Sequence, residues 1–236
     1  AVFNQATTNF FATNTETLNI EALSPNKGSQ PSPYESINLP EAFGYEMGGS
    51  GELIAIMDSE FVLNATAGVT HADLDGKNIT IFGPHVVPSS FSLPHGSAVA
   101  SIAAGDLDGF GIHGVAPFAD LHISDYSMKT GTFHPDHWAN ATADAASFGA
   151  VVQNNSWGVD VQLDTVQQDM ITFSETAAES MAFYWSNNGF VANSTSANNY
   201  VTQLNNFQNN GVIVYALSNK SYFTDADFQA AMPELF

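Results

Sequence analysis

Cysteine and arginine are absent from these 236 residues, and lysine occurs only four times. Without cysteine there is no disulfide and no cysteine-ligated zinc site, although secretion remains open. Four lysines against 24 acidic residues leave a formal net charge of −20. Nothing in such a chain would neutralise phosphates, which excludes a nucleic-acid partner. Docking on an anionic membrane surface is disfavoured for the same reason. No apolar run approaches the roughly 18 residues of a membrane-spanning helix. The chain opens on Ala1 rather than methionine, a beginning that fits the product of signal-peptide removal.

What is present is enough for a core. Apolar residues make up 44% of the chain and aromatics 12%, which fits a folded protein of this length in one domain. A strongly acidic surface keeps such a protein soluble and monodisperse, above all in salt. Residues 1–35 are rich in Asn, Thr, Ser and Pro and read as an N-terminal arm or irregular cover, ordered only if docked. From Ile37 onward strand and helix patterns alternate, which predicts an α/β fold: a doubly wound, mainly parallel sheet with helices on both faces. Strands are expected at Leu53–Met57, Asn78–Phe82, Asp120–Ser124, Ala150–Asn154 and Val212–Leu217. Helices are expected at Leu39–Gly44, His95–Ala104, Pro135–Gly149, Thr165–Asn187 (with a break) and Asn199–Asn209. Asn210-Gly211 reads as the cap between the last helix and a buried strand.

Two residues carry the chemistry. Asp58 closes the apolar run Leu53-Ile-Ala-Ile-Met, at the C-terminal end of a buried parallel strand, where open α/β sheets keep their ligands. His95 opens His-Gly-Ser-Ala-Val-Ala-Ser, at the mouth of a helix of small residues. Taken alone, Asp58 reads as a cap or loop acid and His95 as a capping or core histidine. Together they make two-thirds of a nucleophilic triad, a carboxylate orienting an imidazole base.

At these residues the chain resembles the subtilisin-like serine proteases, the subtilases of peptidase family S8. Further segments agree in order. Asn38-Leu-Pro-Glu-Ala-Phe-Gly44 and Gly48-Gly-Ser-Gly51 precede the Asp strand, and His71-Ala-Asp-Leu-Asp-Gly76 follows it. Gly109-Phe-Gly-Ile-His-Gly-Val-Ala-Pro117 follows the His helix. Val151-Val-Gln-Asn-Asn-Ser-Trp-Gly158 resembles the substrate-binding strand, and Gly211-Val-Ile-Val-Tyr-Ala-Leu-Ser-Asn219 the strand that ends at the oxyanion-hole asparagine. The resemblance spans roughly residues 36 to 225, within a peptidase domain read as 36–236 and incomplete at its C-terminus.

The resemblance implies a secreted or cell-surface serine endopeptidase acting on polypeptides. In it His95 is the general base, Asp58 its orienting carboxylate, and Asn219 an oxyanion donor. Ser156, Trp157 and Gly158 would pair with extended substrate, Trp157 forming an apolar wall that favours hydrophobic or aromatic side chains. No cofactor is needed for the chemistry. The family's Gly-Thr-Ser-Met-Ala segment, which bears the nucleophilic serine, has no counterpart here. Ser180-Met-Ala182 lacks the Gly-Thr and precedes Asn219, so the serine is expected beyond this chain, in a downstream segment or a bound C-terminal fragment. A protein that keeps the fold without catalysis is the alternative.

Departures from the pattern are specific. Glu60 stands where the family has Gly, Ser97 where it has Thr, Ser101 and Ser218 again where it has Gly, and Lys220-Ser221 follow Asn219. Structural calcium is compatible with the resemblance, but no residues assign it. His134-Pro-Asp-His137 reads as a solvated helix start before a metal site, and Asp106-Leu-Asp-Gly109 as a plain turn before a calcium loop. Asn64, Asn78, Asn140, Asn154, Asn193 and Asn219 begin Asn-x-Ser/Thr sequons, expected by chance in so asparagine-rich a chain. Residues 159–198 read as a surface insertion near the substrate groove.

Overall fold

The computed structural model describes residues 2–16, 33–64, 69–85, 94–127, 134–157, 163–174 and 194–216, with 176, 179–180, 183, 186–187 and 191 between the last two stretches. Its helices are α1 (Gln5–Thr13), α2 (Pro33–Ser36), α3 (Leu39–Gly44), α4 (His95–Ala104), α5 (Pro135–Ser147), α6 (Leu163–Phe173) and α7 (Thr195–Phe207). Its strands are β1 (Leu53–Asp58), β2 (Leu63–Asn64), β3 (Val69–Thr70), β4 (Ile79–Phe82), β5 (Asp120–Asp125), β6 (Val152–Asn155) and β7 (Val212–Tyr215).

Five strands form one parallel sheet in the order β4-β5-β1-β6-β7, with helices on both faces, and β2 and β3 make a separate antiparallel pair. From β1 the chain winds through β4 and β5 on one side, then crosses to β6 and β7 on the other. The winding reverses between β1 and β6, the switch point beside which ligands bind in such sheets. β6 and β7 run in register from Val152↔Val212 to Asn155↔Tyr215.

The chain clusters into two compact units. The first comprises Ala1–Ile56, Glu60–Ile81 and Val86–Ile123. Its main core joins Ile56, Phe61, Leu63, Leu74, Leu121 and Ile123 to Ala100 and Ala104 of α4. The alanine face of α4 has no side-chain bulk, so backbone approaches it closely: a Cβ on Gly114 would lie 2.5 Å from the Ala104 nitrogen. A satellite core holds Phe11 of α1 against Phe43 of α3, with ring centroids 3.8 Å apart, and includes Tyr34 and Leu39. The segment that the composition reads as an irregular arm therefore carries a helix. Asn4 caps it by accepting the Ala6 N–H at 3.0 Å, and aromatic burial anchors it.

The second unit comprises Met57–Ser59, Phe82–His85 and Ser124–Phe236. Its centre is α5 packed on α7, with Trp138 and Tyr200 wholly buried. Helix α7 begins four residues before the expected Asn199, because Ser194 caps it by accepting the Ala197 N–H at 3.2 Å. Strand β7 departs from the expected buried strand: its side chains alternate exposed and half-buried, with Val212 58% and Val214 43% exposed. Part of the 159–198 stretch is helical, as α6, with Ile171 77% and Phe173 65% exposed.

Candidate active site

Asp58 is the last residue of β1 and only 1% exposed. Its Oδ1 accepts the Ser59 N–H at 2.7 Å, and its carbonyl accepts the Tyr126 N–H at 3.0 Å. A carboxylate buried at the switch-point end of a central strand is costly unless other groups satisfy it. Ser156 and Trp157 follow the end of the neighbouring strand β6. The ladder with β7 closes at Asn155, whose carbonyl accepts the Ala216 N–H at 3.1 Å. The strand continues into Ser156, whose hydroxyl accepts from the Asn154 amide at 2.8 Å. Trp157 is half-buried in an aromatic cluster. Its ring stacks on Tyr126 at 5.0 Å and 23°, and lies 4.5 Å from Trp138 and 6.3 Å from Tyr215.

His95 is the first residue of α4 and is exposed, while Gly96, Ser97, Ala100 and Ser101 of the same helix are buried. Asn219 and Gly158 lie outside the described residues, as do Ser218, Lys220 and Ser221. The structure thus sets Asp58, Ser156 and Trp157 at the C-terminal ends of adjacent strands and His95 at a helix mouth.

The departures noted in the sequence have local explanations. The Ser97 hydroxyl, wholly buried, accepts the Val62 N–H at 2.8 Å. The Ser101 hydroxyl lies 3.4 Å from His71 Nδ1 and bonds the Asp73 carboxylate. Both serines tie α4 to the segment after Asp58, a function that sequence order alone does not reveal. Glu60 is different. It takes φ +62°, the left-handed region where glycine is at home, with no Cβ relief.

His137 corrects the expected solvated helix start. It is 8% exposed, its ring lies 5.4 Å from Phe82, and its Nε2–H donates to the Asp125 carbonyl at 2.9 Å. Burial pushes its imidazole below the ordinary value, against a smaller upward pull from that carbonyl. Asp106-Leu-Asp-Gly109 is a turn, with Asp108 Oδ1 accepting the Phe110 N–H at 2.9 Å and Asp106 paired to Lys77 at 3.1 Å. Beside it, Glu16 is 2% exposed; Oε1 accepts the Gly109 N–H, and Oε2 is buried without a hydrogen-bond partner. Desolvation pushes the carboxyls of Glu16 and Asp73 up, reinforced by the charge of Asp108. The turn makes room for Asp73 through Gly111, at φ +64°, where a Cβ would come within 2.0 Å of Asp73 Oδ1. Among the described residues, no three His, Asp or Glu side chains converge closely enough to hold a metal ion, and no helix is long and apolar enough to cross a membrane.

The family model described as the Subtilase family, Peptidase_S8, matches residues 49–234. The chain belongs to the subtilase family. Among curated proteins, this subtilase is 31% identical over 139 residues to fervidolysin of Fervidobacterium pennivorans, a match covering 52% of this chain and 19% of that protein. Among solved structures it is similar to Sphericase, at 25% identity and TM-score 0.45 over 75% of this chain and 48% of that one. It is also similar to the prenylagaramide maturation protease PagA, at 21% identity and TM-score 0.48 over 77% and 51%. The chain therefore spans about half the length of these solved relatives and about a fifth of fervidolysin.

Proposed function

We propose that this subtilase is a secreted or cell-surface serine endopeptidase in which Asp58 and His95 work with a nucleophilic serine supplied from outside these 236 residues. The observation that carries the reading is the burial of Asp58 at the switch-point end of β1, next to the strand that runs into Ser156 and Trp157. In this reading His95 takes the serine proton and returns it to the leaving amine. Asp58 holds the imidazole in one tautomer and stabilises the imidazolium. Asn219 donates its side-chain amide to the developing oxyanion, a contact worth about 2.7–4 kcal/mol of barrier. Ser156, Trp157 and Gly158 pair main chain to main chain with an extended polypeptide substrate, and no cofactor takes part in the chemistry.

The test is labelling of the native full-length protein with a serine-reactive fluorophosphonate, read on a denaturing gel, alongside peptidase assays of His95→Ala. Labelling on a band distinct from this 25.1 kDa chain, with activity falling by about 10⁴-fold or more in the variant, supports the enzyme. Folded, inhibitor-free protein that takes no label supports instead a scaffold that keeps the fold without catalysis.

A further inference from the structure

Among the described residues, Asn38, Glu46, Glu60 and Ser174 are the non-glycine residues that take a positive φ. Asn38 stands immediately before α3 and is an asparagine, which tolerates this region better than most residues. Glu46 and Ser174 follow the ends of α3 and α6, where a left-handed residue ordinarily closes a helix. Glu60 lies instead between β1 and β2, with no helix end to account for it. Its surroundings in the chain are fixed: Asp58 is 1% exposed and Phe61 wholly buried, whereas Glu60 is exposed. The backbone surfaces here and holds a carboxylate in water two residues after Asp58, within about 7 Å from Cα to Cα.

The fold itself has no need of that carboxylate. Glycine would take the same φ without strain, and strained L-residues that persist cluster at functional sites. Nor does Glu60 answer a charge of the protein's own. Among the described residues the only Lys or Arg is Lys77, whose ammonium is committed to Asp106 at 3.1 Å and to the Pro117 carbonyl. The Glu60 carboxylate has no ion-pair or hydrogen-bond partner among the described residues. The net charge of −20 adds a field that draws cationic ligands in and repels anionic ones.

We infer that Glu60 is a specificity-determining residue whose carboxylate receives one Lys or Arg side chain of the polypeptide substrate, beside the Asp58 end of β1. The inference rests on the peptidase reading above and adds a substrate class to it. An ammonium donates to the carboxylate in a charge-assisted bond, and a guanidinium can do so through two parallel N–H groups. An acidic side chain at that position meets like charge, and a neutral one leaves the carboxylate to water.

The experiment uses the native full-length protein and internally quenched peptides of one composition, in which a single Lys moves from position to position among glutamines. All carry the same net charge, so the protein's diffuse field acts on them alike and differences report a local contact. The peptide with Lys at one position should exceed the others by about fivefold or more in kcat/KM at about 0.1 M salt. Raising the salt to about 1 M, where screening acts within roughly 3 Å, should shrink that advantage. Glu60→Gln, which keeps the shape and removes the charge, should bring the peptides to within about twofold of one another. Glu60→Gly, which also relaxes φ, should do the same, and it provides the comparison if the Gln variant does not fold. A purely structural role would separate the two variants, because only glycine relieves the strain. A wild-type protein that cleaves all the peptides at similar rates overturns this inference alone. So does a Lys preference that either variant retains in full. Folded native protein that cleaves no peptide overturns the peptidase reading and this inference with it.

Discussion

The hydroxyl of Ser97, two residues into the helix that His95 opens, accepts the backbone N–H of Val62, four residues after Asp58, at 2.8 Å. Both partners are buried, so the bond determines whether an N–H is left stranded in the core. Ser97→Ala is expected to destabilise the protein by about 1–3 kcal/mol, the cost of leaving a buried donor unsatisfied. Ser97→Thr, which restores the hydroxyl and adds a methyl, should recover most of it. Urea unfolding of the three proteins checks this; equal midpoints for wild type and Ser97→Ala would refute it.

Glu60 gives the opposite expectation. At φ +62° an L-residue carries roughly 1–2 kcal/mol of strain that glycine escapes, while glycine loses about 0.5–1 kcal/mol more backbone entropy on folding. The strain term is the larger, so Glu60→Gly should raise stability by a few tenths to about 1 kcal/mol. Glu60→Val, β-branched and least tolerant of this region, should lower it. Thermal melts of the pair settle the sign.

Much of this was legible in the sequence because local patterns and tertiary demands agree. The small-residue helix His95–Ala104 and the proline-started Leu39–Gly44 fall where expected. The apolar run 53–57 lengthens by one residue, to include Asp58. Other features were not legible, for physical reasons. Tyr34, Phe11 and His113 meet only through chain separated by many residues, so composition alone reads residues 1–35 as an arm. Val212 and Val214 look like core residues because a β-branched run carries no record of which face it shows to solvent. The contact of Tyr126 with Trp157 depends on β5 and β6 flanking β1 on its two sides, which no local motif encodes.

The pH dependence of stability has a sign set by His113. Its ring is wholly buried, stacks on Tyr34 at 4.8 Å and 27°, and meets Phe11 and Phe43 edge-on. Its Nδ1–H donates to the Gly114 carbonyl at 2.8 Å. Desolvation holds the imidazole below its ordinary value, against a smaller upward pull from that carbonyl. The unfolded chain therefore binds the proton first. Where the unfolded state holds more protons, stability rises with pH; the contribution of His113 is complete above the ordinary imidazole value of 6.5 and is lost as pH falls below it. His137, lowered by burial in the same direction, adds to the slope. Glu16 and Asp73, raised by burial, oppose it at more acid pH, because their folded forms bind protons more readily than the unfolded chain. Replacing His113 by Leu, which has no proton to gain, should flatten melting temperature against pH between about pH 5 and 7. A wild-type profile already flat across that window, or one unchanged in His113→Leu, would show that the buried imidazole does not govern acid stability.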